Sequence, residues 1–481
     1  MKDLSRRGFL KAVGLGAAAA AAVRPTLFAQ ATDSSAAGPA SRPASAAVGG
    51  PSGKRPNVVW IMAEDTSPHM SCYGETTIQT PCIDALAAKG AIFRRCFSTS
   101  PVCSPSRSGA MTGMYPTTIG SHQHRSNVPL PAGVKMLAEL FRQAGYYTAM
   151  GGEKTEVKNP RAKARKLGKG DYNFPWDDRV YDGADWSGRK TGQPFFAQVQ
   201  LEGGKNRPPN PSPEDVAKVK LPPYYPDHPV LREDWARYLN SVRATDVQVG
   251  AVLKRLADEG ISDETIVVFS SDHGLSHIRD KQFLYDGGIH VPLVIRWPKA
   301  FAPGTARDDL VSQIDVAPTL LSLCGLEVPA CMEGQALVGP AFVPRAFVIS
   351  ARDRCDETAD RIRGVRTDRY KYIRNYYPER SHAQPNKYKD AKLIMKTMRQ
   401  LHAEGKLTPE QDRVFAPTRP KEELYDLQND RWEMNNLAEL PDLQPTLQRM
   451  RAILEDWIKT TDDKGQYPEP PRGQPQGAAG G

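Results

Sequence analysis

Short, uninterrupted apolar runs alternate with longer amphipathic segments through the first two thirds of this 481-residue chain. Residues 57–63 and 265–270 are such runs, rich in β-branched residues, and their pattern is typical of strands buried on both faces. Between them, residues 232–259 repeat apolar side chains at helical spacing, and Gly260 predicts the end of that helix. Because strand, helix and strand follow one another, we expect an α/β fold with a mostly parallel sheet between helices.

The pattern changes near residue 345. Residues 362–367 and 370–374 flank Asp368-Arg369 and predict an antiparallel hairpin. Residues 443–457 have the apolar spacing of a closing amphipathic helix. We therefore expect a second, smaller α+β domain. The predicted segments are an α/β domain at 56–345, an α+β domain at 346–463 and a Pro/Gly-rich disordered tail at 464–481.

The N-terminus has the features of an export signal. Arg6 and Arg7 precede a weakly apolar, alanine-rich run, and Ala29-Gln30-Ala31 has the small residues of a cleavage site. This pattern resembles a twin-arginine signal peptide over residues 1–31, which predicts export of a soluble protein by the Tat machinery to the periplasm or the medium. Residues 32–55 predict a disordered linker, and no later run is long enough for a membrane span.

The net charge limits the kinds of partner that the chain can bind, and the cysteine count limits its disulfides. Removal of residues 1–31, which carry five basic groups and one acidic group, would lower the net charge from +9 to +5. A charge of this size favours anionic ligands only weakly. The chain has no basic motif interleaved with aromatic residues, so we expect no nucleic-acid partner. The seven cysteines are an odd number for an exported protein, so at least one stays out of any disulfide.

Acidic side chains follow two of the predicted strands. Glu64-Asp65 come directly after the first, and Asp272-His273 come shortly after the run at 265–270. Ligands of open α/β sheets bind at the carboxyl ends of the strands, so these groups are expected to converge. Together they could hold one hard divalent cation. The alternative is that each pair only solvates or caps a loop.

Cys103-Ser104-Pro105-Ser106-Arg107 is the most informative short motif of the chain. It lies between the two acidic pairs, and it is followed by Lys281 and by Glu423-Leu424-Tyr425-Asp426-Leu427. In this order the motifs resemble those of the type I sulfatases over residues 56–440, nearest the heparan N-sulfatase-like branch. The resemblance implies an alkaline-phosphatase-like α/β domain, a smaller C-terminal domain, and hydrolysis of sulfate groups on a carbohydrate.

The same resemblance implies that a maturation enzyme oxidises Cys103 to formylglycine. The hydrated aldehyde would then be the nucleophile, and its second hydroxyl would allow sulfate to be expelled. Arg107 lies one helical turn further along and is implied to stabilise the hydrated aldehyde. If Cys103 is modified, six cysteines remain that could form disulfides: Cys72, Cys82, Cys96, Cys324, Cys331 and Cys355.

A cation site and a sulfate site are also implied. The implied metal is Ca²⁺, with Mg²⁺ or Mn²⁺ as alternatives because His273 stands where asparagine is commoner. Lys154 and Lys281 are implied to neutralise the sulfate during catalysis, although Lys154 has the alternative of a solvated surface residue. The implied metal ligands are Glu64, Asp65, Cys103, Asp272 and His273.

Two features depart from the family pattern. Lys154 is followed two residues later by Glu156, where a histidine is usual. The apolar run that begins at Phe195 leads to Glu202 and Lys205 rather than to a histidine. The acid that protonates the leaving group is therefore not assigned. Four histidines near motifs are candidates for it, although each fits a structural or substrate-pocket role better: His122, His124, His277 and His290. Of these, His122 and His290 are assigned to substrate binding.

Two other functions stay open. One is a phosphoesterase or phosphonate hydrolase on the same fold, for which Cys-x-Pro-x-Arg is also known. The other is a polysaccharide-binding relative without activity, which the missing histidines favour and the retention of Cys103 and Arg107 disfavours. The motifs fit cleavage of either an O–S or an N–S bond.

Overall fold

The computed structural model describes residues 54–152 and 167–470. Eleven strands in these residues form a seven-stranded and a four-stranded sheet. The strands of the larger sheet are β1 (Asn57–Ala63), β2 (Ala91–Phe97), β3 (Tyr147–Gly152), β4 (Phe195–Leu201), β5 (Thr265–Ser271), β6 (His290–Arg296) and β7 (Thr305–Ser312).

The larger sheet confirms the prediction of a mostly parallel arrangement. Its strand order is β3-β4-β1-β5-β6-β2-β7, and only β6 among these strands runs antiparallel to its neighbours. A short apolar run does not encode strand direction, so this reversal was not predictable from composition. The carboxyl ends of β1, β2, β3, β4 and β5 therefore lie at one edge of the sheet.

Helices cover both faces of this sheet. Alternate residues of β1 point to opposite faces: Trp60 packs in one buried cluster with Met111, and Ile61 packs in the other with Trp235. The helices of this part of the chain are α1 (Pro81–Ala88), α2 (Cys103–Thr112), α3 (Leu137–Gln143), α4 (Pro213–Lys218), α5 (Pro229–Asp258), α6 (Asp286–Ile289) and α7 (Val316–Leu323).

The long helix α5 also fixes the start of α1. The Asp246 carboxylate accepts hydrogen bonds from the backbone N–H groups of Cys82 (3.2 Å) and Ile83 (2.7 Å). These N–H groups lie in the first turn of α1, where a helix leaves them without internal partners. A buried aspartate on the apolar stripe of α5 is thus explained by its capping of a second helix.

The smaller sheet confirms the predicted antiparallel hairpin. Its order is β11-β10-β9-β8, with β9 and β10 paired antiparallel, and α11 packs against it. A long excursion between β10 and β11 carries three short helices. The elements are β8 (Phe347–Arg352), β9 (Ile362–Thr367), β10 (Tyr370–Asn375), β11 (Glu422–Asp426), α8 (Lys387–Asp390), α9 (Leu393–Ala403), α10 (Pro409–Asp412) and α11 (Gln444–Thr461).

The prediction of a disordered tail from residue 464 is wrong for its first seven residues. The buried Asp463 pairs with Arg363 at 2.8 Å, and the Lys464 N–H donates to Thr117 O at 3.0 Å. Glu469 pairs with Arg354. These charged contacts hold residues 464–470 against the domain, which the Pro/Gly content does not reveal.

Three further sequence predictions concern the cysteines, a membrane span and the N-terminal segment. All seven cysteines lie in the described ranges, and none is in a disulfide. None of the helices in residues 54–152 and 167–470 has the length and apolar character that crossing a bilayer requires. The predicted signal peptide, most of the predicted linker and Lys154 lie outside the described residues.

Candidate active site

The two acidic pairs converge because β1 and β5 are neighbours. Ala63 is in register with Ser271, so the residues that follow each strand meet at the same edge of the sheet. The Asp65 N–H donates to Asp272 Oδ1 at 3.1 Å. Asp65 has a φ of 50°, a left-handed conformation that aspartate tolerates better than most residues. The predicted convergence of these groups is confirmed.

A glycine pair packs against this turn. Gly204 N–H donates to Glu64 O at 2.8 Å. A Cβ atom at Gly203 would lie 2.3 Å from Glu64 O, and one at Gly204 would lie 2.2 Å from Asp65 O. Only glycine permits this close approach. The pair after β4 therefore holds the backbone that presents Glu64 and Asp65.

Cys103 is the first residue of the buried helix α2. Pro105 falls in the first turn, where its missing N–H costs no hydrogen bond, and Gly113 ends the helix with a φ of 66°. Cys103 Sγ lies 3.1 Å from His273 Nε2, 3.4 Å from Lys281 Nζ and 4.0 Å from Asp65 Oδ1. Side chains from three separate segments thus meet at this sulfur.

Arg107 lies on the same face of α2 as Cys103, four residues on. Its Nε donates to Asp272 Oδ2 at 3.0 Å, and its Nη1 donates to Gln200 Oε1 at 2.6 Å. Nη2 is buried, and no described residue accepts a hydrogen bond from it. Burial lowers the pKa of Arg107, but the carboxylates of Asp272 and Glu64 outweigh it and hold that pKa above its usual range.

Glu64 faces a group of cations. Its Oε2 lies 2.8 Å from Lys169 Nζ and 3.2 Å from Lys205 Nζ, and its Oε1 lies 3.8 Å from Arg107 Nη2. Lys169 also pairs with Asp171 at 3.1 Å. Neither Lys169 nor Lys205 was predicted from the sequence as a site residue. The signals available were the basic stretch that ends at Lys169 and the position of Lys205 just after a strand.

Lys281, the second predicted sulfate-binding lysine, contacts both Cys103 and Asp65. Its Nζ lies 2.9 Å and 3.1 Å from the two carboxylate oxygens of Asp65. Burial raises the pKa of Asp65, but the charge of Lys281 outweighs it and holds that pKa well below its usual range. The side chain of Lys281 is 10% exposed, so the ammonium group lies in a largely dry pocket.

The excursion between β10 and β11 supplies a wall beside Lys281. The Tyr388 ring lies 5.1 Å from Lys281 Nζ, and its hydroxyl lies 2.6 Å from Ser276 Oγ. Lys392 Nζ donates to the same Ser276 oxygen at 2.7 Å. Burial and the charge of Arg207 lower the pKa of Lys392 to about 7. No sequence signal pointed to these residues, because they lie over a hundred positions from Lys281.

The donor set fits a divalent cation. Ligand atoms of Asp65, Cys103 and His273 lie within 4.8 Å of one another, and His273 Nε2 is 3.7 Å from Asp272 Oδ1. Burial lowers the pKa of His273, but Asp272 and Cys103 raise it to about 9. The negative field that stabilises an imidazolium here would also stabilise a metal ion. Glu64, the fifth predicted ligand, points its carboxylate to the lysines.

Three of the four candidate histidines lie in other environments. Both ring nitrogens of His122 are buried, and no described residue hydrogen-bonds to them. His290 Nε2 lies 2.8 Å from Arg94 O, and its ring stacks on Phe97. His277 lies between Trp235 and Asp234. Among the described residues, neither His122 nor His290 hydrogen-bonds to Cys103, and their assignment to substrate binding stays a prediction.

Comparison with known proteins decides the family. Residues 56–326 match the family described as Sulfatase, which is more than half of the chain. The chain belongs to the sulfatase family. Residues 272–403 of this sulfatase also match the family described as N-sulphoglucosamine sulphohydrolase, C-terminal. That match contains Lys281, Tyr388 and Lys392.

Individual relatives agree with this membership. The sulfatase is 34% identical to an ulvan-active sulfatase of Formosa agariphila over 476 residues, which covers 86% of this chain and 77% of that protein. A solved structure in complex with its substrate D-glucosamine-2-N,6-O-disulfate is 19% identical with a TM-score of 0.60, covering 85% of this chain and 99% of that one. The phosphonate monoester hydrolase of Silicibacter pomeroyi has the same identity and TM-score, covering 85% and 96%. The two structures show the shared fold.

Proposed function

We propose that this sulfatase is exported and hydrolyses sulfate groups on a carbohydrate, using Cys103 in its formylglycine form and one divalent cation. The observation that carries the proposal is the position of Cys103 at the start of α2. Its Sγ lies 3.1 Å from His273 Nε2 and 3.4 Å from Lys281 Nζ. An oxygen attached to residue 103 at this place would be stabilised as an anion by its cationic surroundings.

Arg107 supports the modified form of Cys103. Hydrated formylglycine supplies an oxygen nucleophile and a second hydroxyl that permits release of sulfate. The buried Nη2 of Arg107 has no hydrogen-bond acceptor among the described residues. Unsatisfied buried donors are rare in folded proteins, and this one lies beside the residue that would gain oxygen atoms.

Asp65, Asp272 and His273 are the proposed protein ligands of the cation, joined by residue 103, and Glu64, whose carboxylate points to the lysines, stays a prediction for the same role. A bound cation neutralises charge and lowers the pKa of an oxygen nucleophile. Ca²⁺ suits the carboxylate oxygens, and Mg²⁺ and Mn²⁺ are the alternatives because His273 adds a nitrogen donor. The ligand atoms of Asp65, Cys103 and His273 support the assignment by lying within 4.8 Å of one another.

Lys169 and Lys281 are proposed to bind the sulfate oxygens. Each ammonium group is paired with a carboxylate that follows β1, Lys169 with Glu64 and Lys281 with Asp65. Charge-assisted hydrogen bonds from such groups would stabilise the negative charge of the transferred group. Lys154 stays a prediction for the same role.

The carbohydrate substrate is supported by the relatives and by the pocket wall. The 34% identical relative is named for its action on ulvan. Tyr388 is 37% exposed beside Lys281, and aromatic rings with a few convergent polar groups are typical of ligand pockets. Export rests on Arg6-Arg7 and the alanine-rich run after them. The partners implied are a maturation enzyme and the Tat machinery.

A desulfation screen tests the proposal. The protein, co-expressed with a formylglycine-generating enzyme, is incubated with ulvan and with defined O-sulfated and N-sulfated sugars, and released sulfate is measured. We expect release from at least one sulfated carbohydrate and none from the Cys103→Ala control. Rapid hydrolysis of phosphate or phosphonate monoesters, with no sulfate release from any substrate, would contradict the assignment.

A further inference from the structure

His124 occupies an environment unlike those of the other candidate histidines. Its Nδ1 lies 3.0 Å from Asp356 Oδ1, and its side chain is 7% exposed. The hydrogen bond from His124 is the main reason that the pKa of Asp356 lies below its usual range, so this carboxylate stays ionised. A carboxylate that is hydrogen-bonded to Nδ1 fixes the orientation of the imidazole ring. It leaves Nε2 as the nitrogen that can act on a substrate.

The backbone places this pair beside Cys103. The Arg125 N–H, which follows His124, donates to the Oγ of Ser104, which follows Cys103, at 3.1 Å. The charge of Lys281 helps to lower the pKa of Asp356. His124 therefore lies in a loop that contacts the segment of Cys103, and the charge of Lys281 reaches its partner Asp356.

Asp171 connects the surroundings of His124 with those of Lys169. Burial raises the pKa of Asp171, but the charges of Lys169, Arg107 and His124 together lower it. Asp171 pairs with Lys169 at 3.1 Å. The loop that carries His124 also contacts this segment directly, because the Arg125 N–H donates to Asn173 Oδ1 at 2.7 Å.

A second metal site is a weaker explanation of the same residues. Ligand atoms of His124, Cys355 and Asp356 lie within 4.8 Å of one another. However, burial is the main cause that raises the pKa of Cys355 to about 12, which keeps the thiol protonated and a poor ligand. His124 Nδ1 is also paired with the Asp356 carboxylate at 3.0 Å, so this nitrogen is not available to an ion.

We propose that His124 is the proton donor to the leaving-group oxygen and that Asp356 is its positioning residue. As the oxygen at residue 103 bonds to sulfur, the bond from sulfur to the leaving oxygen breaks, and its electron pair stays on that oxygen. The Nε2 proton of the imidazolium moves to this oxygen, which gives a neutral alcohol and a neutral imidazole. The inference rests on the proposed sulfatase function and supplies the acid that the departures from the family pattern left unassigned.

Leaving-group dependence separates this role from a structural one. A nitrophenol-type leaving group departs without a proton, whereas a sugar alkoxide needs one. His124→Gln should lower kcat/KM for a sulfated sugar by about 100- to 10,000-fold, but for p-nitrophenyl sulfate by less than about tenfold. Asp356→Asn should show the same selectivity with a smaller loss.

The chain offers a matched control in His402→Gln. His402 Nδ1 pairs with Asp412 at 2.6 Å, but this pair lies at the surface with 44% and 42% exposed side chains. Its variant should keep wild-type rates on both substrates. If His124→Gln does not fold, the Asp356→Asn protein carries the same comparison.

The pH profile of kcat/KM on the sulfated sugar is the second readout. We expect the wild-type rate to fall at alkaline pH, and we expect His124→Gln to lack this fall because its proton donor is gone. The charged and titratable groups that face His124 are Asp356, Cys355, Arg354, Asp171 and Arg125.

Three outcomes would overturn the role. One is an equal loss on both substrates in the His124 and Asp356 variants, which would indicate a structural residue. Another is a second equivalent of bound metal that disappears in His124→Gln, which would indicate a metal ligand. A wild-type protein that is inactive on both sulfates would instead overturn the proposed function, and the role with it.

Discussion

Lys281 Nζ lies 2.9 Å from Oδ1 of the fully buried Asp65. Both groups are charged, because the lysine holds the pKa of the aspartate well below its usual range. A buried ion pair of this kind recovers its desolvation cost only with good geometry and further hydrogen bonds. Here the same carboxylate also lies 3.3 Å from His273 Nε2, so Asp65 links the proposed sulfate site to the proposed metal site.

Asp65→Asn is expected to weaken cation binding and to abolish measurable sulfatase activity, since it removes one negative charge from the ligand set. Metal analysis after dialysis should give about one equivalent in the wild type and much less in the variant. Asp308→Asn, at a side chain that is 66% exposed, is the control. A wild-type protein that is fully active with an empty site would refute the ligand assignment.

Lys281→Ala should reduce kcat/KM by roughly 30- to 1000-fold, because one charge-assisted contact to the sulfuryl oxygens is worth about 2–4 kcal/mol in the transition state. Lys169→Ala should show a loss in the same range. Lys254→Ala, on the solvent face of α5 with 74% side-chain exposure, should change nothing. If Lys169→Ala had wild-type kinetics, Lys169 would be only a structural partner of Glu64 and not a sulfate-binding residue.

Cys103→Ser should separate sulfate chemistry from phosphate chemistry. Serine keeps an oxygen nucleophile but lacks the second hydroxyl that permits release, so a sulfated serine should accumulate or turn over very slowly. Intact-protein mass after incubation with an aryl sulfate measures this. A variant that keeps fast turnover on aryl phosphate, beside a wild type without sulfate chemistry, would favour the phosphoesterase reading.

Asp463→Asn should destabilise the fold by about 3 kcal/mol, because it leaves the buried Arg363 guanidinium short of a partner. Asp463 Oδ2 lies 2.8 Å from Arg363 Nε. Asp462→Asn, one residue away with a 51% exposed side chain, is the matched control. Thermal and denaturant unfolding measure both, and equal effects would contradict the buried-pair account.

The same pair gives a pH dependence with a defined sign. Burial raises the pKa of Asp463, but Arg363 outweighs it and lowers that pKa to about 2, below the ordinary value of 3.8. A depressed carboxyl pKa contributes stability above the ordinary value and loses it as pH falls towards the folded value. Between about pH 4 and pH 2 the wild type should lose about 2 kcal/mol that Asp463→Asn does not lose.

The parts of the site that follow from local rules were predictable from the sequence. Glu64, Asp65 and Asp272 follow buried strands, and carboxyl ends of parallel strands share an edge. Arg107 lies one turn beyond Cys103 on a helix, so both face the same way. These predictions needed only strand and helix periodicity and one short motif.

The remaining parts depend on the order of strands and on long excursions. Lys169 and Lys205 meet at Glu64 because β4 lies beside β1 and β3 lies beside β4, and strand order is not encoded in any single strand. Tyr388 reaches Ser276 because the excursion between β10 and β11 returns to the larger sheet. Pairing of His124 with Asp356 likewise joins two loops that are far apart in the chain.

The central claim is that residue 103 acts as formylglycine. The most direct measurement is the peptide mass of the fragment containing residue 103, compared in protein made with and without a maturation enzyme, alongside sulfatase activity of the same samples. The account predicts that activity rises in proportion to the fraction of the peptide that carries the aldehyde. Full activity in protein whose residue 103 is entirely an unmodified thiol would contradict it.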